Sequence, residues 1–399
     1  MEHSHVMGGS TAARRINCPG SLELEQASPE QETSEYAERG SMLHAAMEIL
    51  LTADPQTPEA EDAFMDDLIG QDLGFGPEHV ITKELIDEKI WPAWQAWLEV
   101  LETYDLDDWM IEQRVSLESV IPGAFGTADV IAKDTQKRLH ILDWKFGDGV
   151  PVPVEGNMGL GFYAGAALYD DLDSDLVQMC DDISGIVLHI VQPRTGSDQV
   201  LNTWETTEDW VEKLIEQADR AMKLARGKNP PLTPGSWCQF CRARITCPAQ
   251  NALASTALSN APKYMTSVDL GAAMEMAMQL KSWIAEVVKL AEREAEAGAV
   301  IPGFKLVNKR PTRVWTDEKK AEKMLKAGKH KVGEIFTKKL ISPTQAEKLN
   351  KELYNSKLSD IVVFHSSGLT LVPDSDKRQA VVSSAELLSN ALPDRKQEN

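Results

Sequence analysis

The spacing of apolar residues changes period several times along the chain, and each change marks an element. Between Ser34 and Leu51 the spacing is helical, with Met42, Leu43, Ala46, Ile49 and Leu50 on one face and His44 within the same helix. Residues 82–104 repeat the helical period and carry Trp91, Trp94 and Trp97, which read as core packing. The stretch between them, 53–80, is acidic and rich in Pro, Gly and Asp, the composition of an irregular excursion. From Trp109 the period drops to two. MIEQRVSL, FGTADVIAKD and RLHILDWKFG are expected as three antiparallel strands, with Asp134 to Lys137 turning between the last two. A helix at 157–170, a strand at 184–192 and a helix at 207–226 follow. Helix, three strands, helix and strand in that order define an α/β class.

Beyond Pro230, Pro231 and Pro234 comes a cysteine-bearing segment, and Ala261 to Thr266 reads as a boundary. A long helix at 268–297, the basic stretch IPGFKLVNKRPTRVWTD and helical segments to about 356 then form a second domain. The expected organisation is a first domain over 10–260 with a helical insertion at about 52–108, a helical and basic accessory domain over 261–372, and a disordered polar tail over 373–399.

With 399 residues, 42% of them hydrophobic, the chain can bury a large core. No apolar run approaches the roughly 18 residues of a membrane span, and MEHSHVMGGS lacks the regions of a signal peptide, so a soluble cytoplasmic protein is expected. In that reducing setting Cys18, Cys180, Cys238, Cys241 and Cys247 are metal ligands or core fillers rather than disulfides. The net charge of -21 opposes a polyanionic partner at long range, but it is unevenly placed. Residues 20–110 hold 23 acids against three Lys and Arg, whereas 301–357 hold 15 Lys and Arg against six acids. Lys305, Lys309, Arg310 and Arg313 precede Trp315 as a candidate phosphate-tracking face, or equally as a solvated surface.

Gly126-Thr127-Ala128-Asp129 and Asp143-Trp144-Lys145 fall on neighbouring strands joined by a short turn, which brings both carboxylates to one place on the sheet. Two hard oxygen ligands suit Mg²⁺ or Mn²⁺ with positions left for water and phosphate. Lys145 shares a face with Asp143 because side chains repeat every two residues, and its ammonium can hold or help deprotonate water and offset phosphate charge. The Trp144 carbonyl is a further candidate ligand, with the indole on the opposite face. His44 is a nitrogen ligand candidate, with Glu48 one turn later, and Glu112 is an outer or alternative carboxylate.

Cys238-x2-Cys241-x5-Cys247 offers three thiolates, and Cys18 is the remote residue able to complete the set. Four thiolates suit either [4Fe-4S] or tetrahedral Zn²⁺; the absence of two C-x2-C pairs favours iron and sulfur. Such a centre would staple the start of the first domain to its end. Cys180 reads as a half-buried free thiol. Arg14, Arg15, Arg242 and Arg244, beside these cysteines, are candidate DNA contacts.

Together these residues resemble the PD-(D/E)-x-K superfamily, and within it the RecB-like nucleases with a carboxy-terminal cysteine cluster, including the AddB nuclease domain and the CRISPR-adaptation exonucleases. INCPGS, YAERGSMLHAAME, FGTADVI, LDWKFGDGVPV and PGFKLVNKRPTRVW look like a phage and prophage family of this type, over residues 10 to about 350. The resemblance implies a restriction-endonuclease-like core, a mixed central sheet flanked by helices. It implies that His44, Asp129 and Asp143 bind metal, that Lys145 is catalytic, and that Cys18, Cys238, Cys241 and Cys247 hold [4Fe-4S]. DNA is the implied partner, with a phage single-strand-binding or annealing protein as a second, and exonuclease action in recombination, replication or DNA breakdown as the implied activity; the alternative is a non-catalytic module of the same fold that binds DNA ends or a recombination partner. One position departs from the pattern: such families place a glutamine four residues before the helix tyrosine, whereas Tyr163 is preceded at that distance by Gly159.

Overall fold

The computed structural model describes residues 4–29, 35–147, 152–170, 173–193, 200–259, 267–308, 312–328, 330, 335, 342–365 and 369–373. The expected boundary at 261–266 and nearly all of the expected tail lie outside them. By contacts the chain divides into two units, 1–280 and 281–399.

The first unit is a mixed α/β fold in three layers. Its five strands, β1 (Leu106–Ser116), β2 (Phe125–Asp134), β3 (Arg138–Trp144), β4 (Gly185–Val191) and β5 (Leu201–Thr206), lie side by side in chain order. All pairings are antiparallel except β3 with β4. That exception follows from the connection: α7 (Met158–Tyr169) and α8 (Ser174–Met179) return the chain to the starting end of the sheet, as a parallel pair requires. The expected turn is present, with the Lys137 amide donating to the Asp134 carbonyl at 2.9 Å and Lys137 in the left-handed region.

Two cores cover the sheet. On one side Leu139 and Ile141 of β3 join Ile131, Leu188 and Ile190 against α7 and α9 (Glu208–Ala225). On the other, Leu142 and Trp144 of β3 join Val130 and Val191 against α3 (Glu35–Ala53) and α6 (Trp91–Tyr104). Strands covered on both faces explain the nearly unbroken apolar run of RLHILDW. Trp94 and Trp97 are buried in the second core and Trp91 packs partly against it. In α3 the apolar face differs by one residue: Met47 is fully buried, whereas Ile49 is 40% exposed at the flank of the face.

Two expectations are corrected. The acidic excursion contains α4 (Pro58–Leu68), started by Thr57 accepting the Ala60 amide, with Pro58 and acids in its first turn and Met65 and Leu68 buried. The sheet also gains β5, a half-exposed edge strand. The second unit, described by itself, contains the expected helices α12 (Glu318–Ala327) and α13 (Pro343–Leu349). It also contains strands: β6 (Phe304–Asn308) pairs with β9 (Leu369–Pro373), and β7 (Thr312–Trp315) pairs with β8 (Val362–His365). Its small core is built on Ala321, Leu325, Ala346, Tyr354 and Leu358. No described helix is long and apolar enough to cross a membrane.

A polar chain crosses strands β2 to β5 inside the first unit. Asp134 Oδ2 lies 3.3 Å from His140 Nε2, His140 Nδ1 lies 3.0 Å from His189 Nε2, and His189 Nδ1 lies 3.0 Å from Thr203 Oγ1. Burial lowers both histidines, His140 to about 4 and His189 to about 3. The unfolded chain therefore takes up protons near pH 6.5 that the folded chain refuses, so this stability is complete above that pH and is lost as pH falls toward 4. Each histidine is expected to cost about 2 kcal/mol of stability between pH 7 and pH 5. Urea unfolding at the two pH values measures it. The slope should shrink in His189→Asn, and a slope identical to wild type would contradict the account.

Candidate functional site

The β2–β3 ladder ends at the pair Val130 and Leu142, and Asp129 and Asp143 stand one residue beyond it. There the Trp144 amide donates to the Asp129 side chain, to Oδ2 at 2.7 Å, so a carboxylate takes over from a strand carbonyl. The Lys145 amide still donates to the Val191 carbonyl at 2.8 Å, which continues the β3–β4 pairing past Trp144 and places the lysine. Its ammonium forms an ion pair with Asp143 Oδ2. From α3, His44 Nδ1 lies 3.3 Å from Asp129 Oδ1. The Phe146 ring, met edge-on with centroids 5.5 Å apart, packs against the imidazole. His44, Asp129, Asp143 and Lys145 thus come together, and Trp144 contributes its backbone beside them while its indole is buried on the α3 and α6 side.

Burial opposes every charge in this group, and pairing outweighs it for three of the four groups. Desolvation raises Asp129, but His44, Lys145 and the Trp144 amide outweigh it and hold the carboxyl below its usual range. For Asp143 desolvation prevails, aided by the charge of Asp129 and opposed by Lys145, so it is raised. Burial works against the cationic forms of His44 and Lys145, yet the two carboxylates outweigh it and raise both. The two carboxylates are buried, whereas the side chains of His44 and Lys145 keep partial access to water, 23% and 40% exposed.

Glu112 completes it from β1. The pairs Ile111 with Val130 and Gln113 with Ala128 bracket the position opposite Asp129, where Glu112 adopts a left-handed φ of 48° inside the strand. Burial, then the charge of Asp129, raises its carboxyl to about 7. One ligand atom each from His44, Glu112 and Asp129 lie within 4.8 Å of one another. Neighbouring ligands of a cation held at about 2.1 Å stand about 3 Å apart, so the His44 to Asp129 spacing suits a shared ion. Glu112, expected as an outer or alternative carboxylate, belongs to this group, whereas Asp143, expected as a ligand, does not. Glu48 is exposed one turn from His44 and lines an open cavity of about 450 Å³ with Ala45, Ile49, Thr52 and Leu73. Tyr163 of α7 is half-buried; burial and the carboxylates of Asp143, Asp129 and Glu112 raise its phenol well above the ordinary range.

The four expected cysteines line one partly open cavity. Cys18 caps α1 (Gly9–Asn17), its amide bonded to the Arg14 carbonyl at 2.8 Å, and a Pro-Gly turn leads into α2 (Ser21–Gln26). The Gly20 amide donates to the Pro231 carbonyl at 2.9 Å, joining the start of the unit to the segment before the cysteine loop. Two backbone amides point at sulfur: Thr233 to Cys18 Sγ and Gly235 to Cys238 Sγ, each at 3.4 Å. Cys241 and Cys247 follow on the same loop, ahead of α10 (Pro248–Ser259). None of the five cysteines is in a disulfide, and Cys180 is half-buried away from this cavity, pushed up to about 12 by burial.

Arg14 and Arg15, expected as DNA contacts, are 8% and 3% exposed and pair with Glu25, at 3.1 and 2.6 Å. They are internal cations and have no surface to offer a phosphate. Arg242 and Arg244 belong to the cysteine loop, half-buried. Lys305 is on β6 and Arg313 on β7; Lys309 and Arg310 lie outside the described residues. Glu25 and Phe146 were not anticipated. The WKFG continuation of β3 was a signal for Phe146, whereas Glu25, one acid among many, gave none.

Fold and site define a mixed α/β protein with two buried aspartates met by a histidine and a lysine at the end of a β-hairpin, and a separate four-cysteine cavity. The chain belongs to the family described as "Protein of unknown function (DUF2800)", whose model matches residues 3–379. A solved structure titled "Crystal structure of SSO0001" is 13% identical, covering 60% of this chain and 94% of that one with a TM-score of 0.24.

The glycine at 159 has a local cause. A Cβ there would stand 2.9 Å from the Gly9 carbonyl oxygen, so the start of α1 occupies the space a side chain needs. Gly159→Gln is expected to lower the unfolding free energy by about 1–3 kcal/mol in urea titrations, because backbone must move. Unchanged stability would show that α1 yields freely.

Proposed function

We propose that this protein is a divalent-metal-dependent deoxyribonuclease, with the restriction-endonuclease-like core of the PD-(D/E)-x-K superfamily. The observation that carries the reading is the convergence of His44, Asp129, Asp143 and Lys145 at one end of the β2–β3 hairpin. Two buried carboxylates on adjacent strands, met by a partly exposed histidine and lysine, form a charge cluster of the kind that recurs at functional sites. The mixed sheet with helices on both faces supports the same reading.

The donor set that lies within mutual reach, the His44 imidazole with carboxylate oxygens of Asp129 and Glu112, fits Mg²⁺ or Mn²⁺, and Asp143 and the Trp144 carbonyl are the further oxygen ligands the reading assigns. When bound, the cation would supply Lewis-acid charge to a phosphodiester and a more acidic water. The chain supplies the rest. The Trp144 amide fixes Asp129, Phe146 confines His44, and Asp143 aims the Lys145 ammonium at the place where charge grows on the phosphate. The protonated Tyr163 phenol is a neutral donor on the α7 side. At the second site, the four sulfurs with amides directed at Cys18 and Cys238 suit a [4Fe-4S] cluster held by Cys18, Cys238, Cys241 and Cys247 better than Zn²⁺, whose tetrahedron needs sulfurs about 4 Å apart, because no three of these sulfurs lie within 4.8 Å of one another. Its role is to staple α1 to the end of the unit.

End-labelled single- and double-stranded DNA, linear and circular, incubated with Mg²⁺ or Mn²⁺ tests the activity. Linear DNA is expected to be degraded from its ends, with Asp129→Ala and Lys145→Ala slower by at least about 10²-fold. Equal rates in wild type and Asp129→Ala, or cleavage in excess EDTA, would contradict it.

A further inference from the structure

Glu25 lies behind the lining of the cysteine cavity and bonds to both segments that carry the cysteines. It lies near the end of α2, 2% exposed, and its two oxygens divide the work. Oε2 accepts from Arg14 Nε at 3.1 Å and from the Arg15 guanidinium at 2.6 Å, and Oε1 accepts from the Arg242 backbone amide at 2.9 Å. Arg15 is held further by Ser21 Oγ and the Val6 carbonyl, both at 2.9 Å. Arg14 and Arg15 sit in the helix that ends on Cys18, and Arg242 directly follows Cys241. One buried carboxylate therefore ties the Cys18 turn to the loop between Cys241 and Cys247.

The charges are unequal. Two guanidiniums meet one carboxylate, leaving an excess positive charge, and Arg14 lines the cysteine cavity together with Arg244. A buried excess cation is costly unless an anion stands beside it. Four thiolates around Zn²⁺ or around a doubly charged [4Fe-4S] core carry two negative charges, which is the anion this wall would match.

We propose that Glu25 is the positioning residue of the cysteine cavity: it holds Arg14 at the wall and hangs the Cys241–Cys247 loop from α2, so that four sulfurs close around an anionic metal–thiolate centre. The proposal rests on the reading of the four cysteines as a metal centre. It differs from a general packing role because it assigns the work to the charge of Arg14 and to the backbone of Arg242, not to the Arg242 side chain.

The test uses the full chain purified anaerobically as wild type, Glu25→Gln, Arg14→Gln, Arg14→Lys, Arg242→Ala and Cys241→Ser. Iron, sulfide and zinc per chain are measured, release to EDTA is timed, and the visible circular dichroism of the cluster is recorded, or of a cobalt-substituted site where zinc is found. Glu25→Gln and Arg14→Gln are expected to release metal at least tenfold faster and to alter the spectrum of the centre that remains. Arg14→Lys should recover part of the retention, and Arg242→Ala should match wild type because its amide survives. The Arg14 pair keeps the proposal falsifiable should Glu25→Gln fail to fold. Wild-type release rates in both Gln variants would overturn the role of Glu25 alone. Wild-type protein whose iron and zinc content equals that of Cys241→Ser would overturn the metal-centre reading and the proposal with it.

Discussion

Two carboxylates held out of water, Asp129 and Asp143, impose the constraint around which the first unit is arranged. Neither could remain charged there alone, and each neighbour answers that requirement: His44 from α3, the Lys145 ammonium, and an amide taken from the β3 backbone. The hairpin makes the carboxylates adjacent, the core on the α3 and α6 side brings His44 to them, and the α7 crossover brings Tyr163. The parallel β3–β4 pair continues through the Lys145 amide, so the crossover that defines the fold also places the lysine.

The same logic recurs at the cysteine cavity with the signs exchanged. There the internal surplus is cationic, Arg14 and Arg15 around Glu25, and the groups able to answer it are thiols. Both sites are made of residues distant in sequence and joined by few hydrogen bonds, such as Gly20 to Pro231 and Arg242 to Glu25. The cysteine site is complete only when the chain from Cys18 to Cys247 has folded, and the carboxylate site only when His44 has met the hairpin that carries Asp129 and Asp143.

Much of this was legible in the sequence because the elements that carry it are strongly periodic. RLHILDW and FGTADVIAKD could only be strands, the Asp134 to Lys137 turn fixed their adjacency, and α3 placed His44 on a packed helix. What escaped depended on partners far along the chain. Arg14 and Arg15 read as surface cations because Glu25 gives no local sign of being buried. The left-handed φ of Glu112 leaves no mark in an otherwise regular alternation. α4 was hidden by acidic residues whose apolar contribution is only two buried side chains, and β5 by an edge position that exposes both faces in part.

The most direct measurement of the central claim is calorimetric titration of Mn²⁺ into Lys145→Ala protein, a background that keeps all proposed ligands. The account predicts saturable binding that weakens at least tenfold when either His44→Ala or Asp129→Asn is added. Binding of equal affinity in all three proteins would contradict a metal centre at the end of the β2–β3 hairpin.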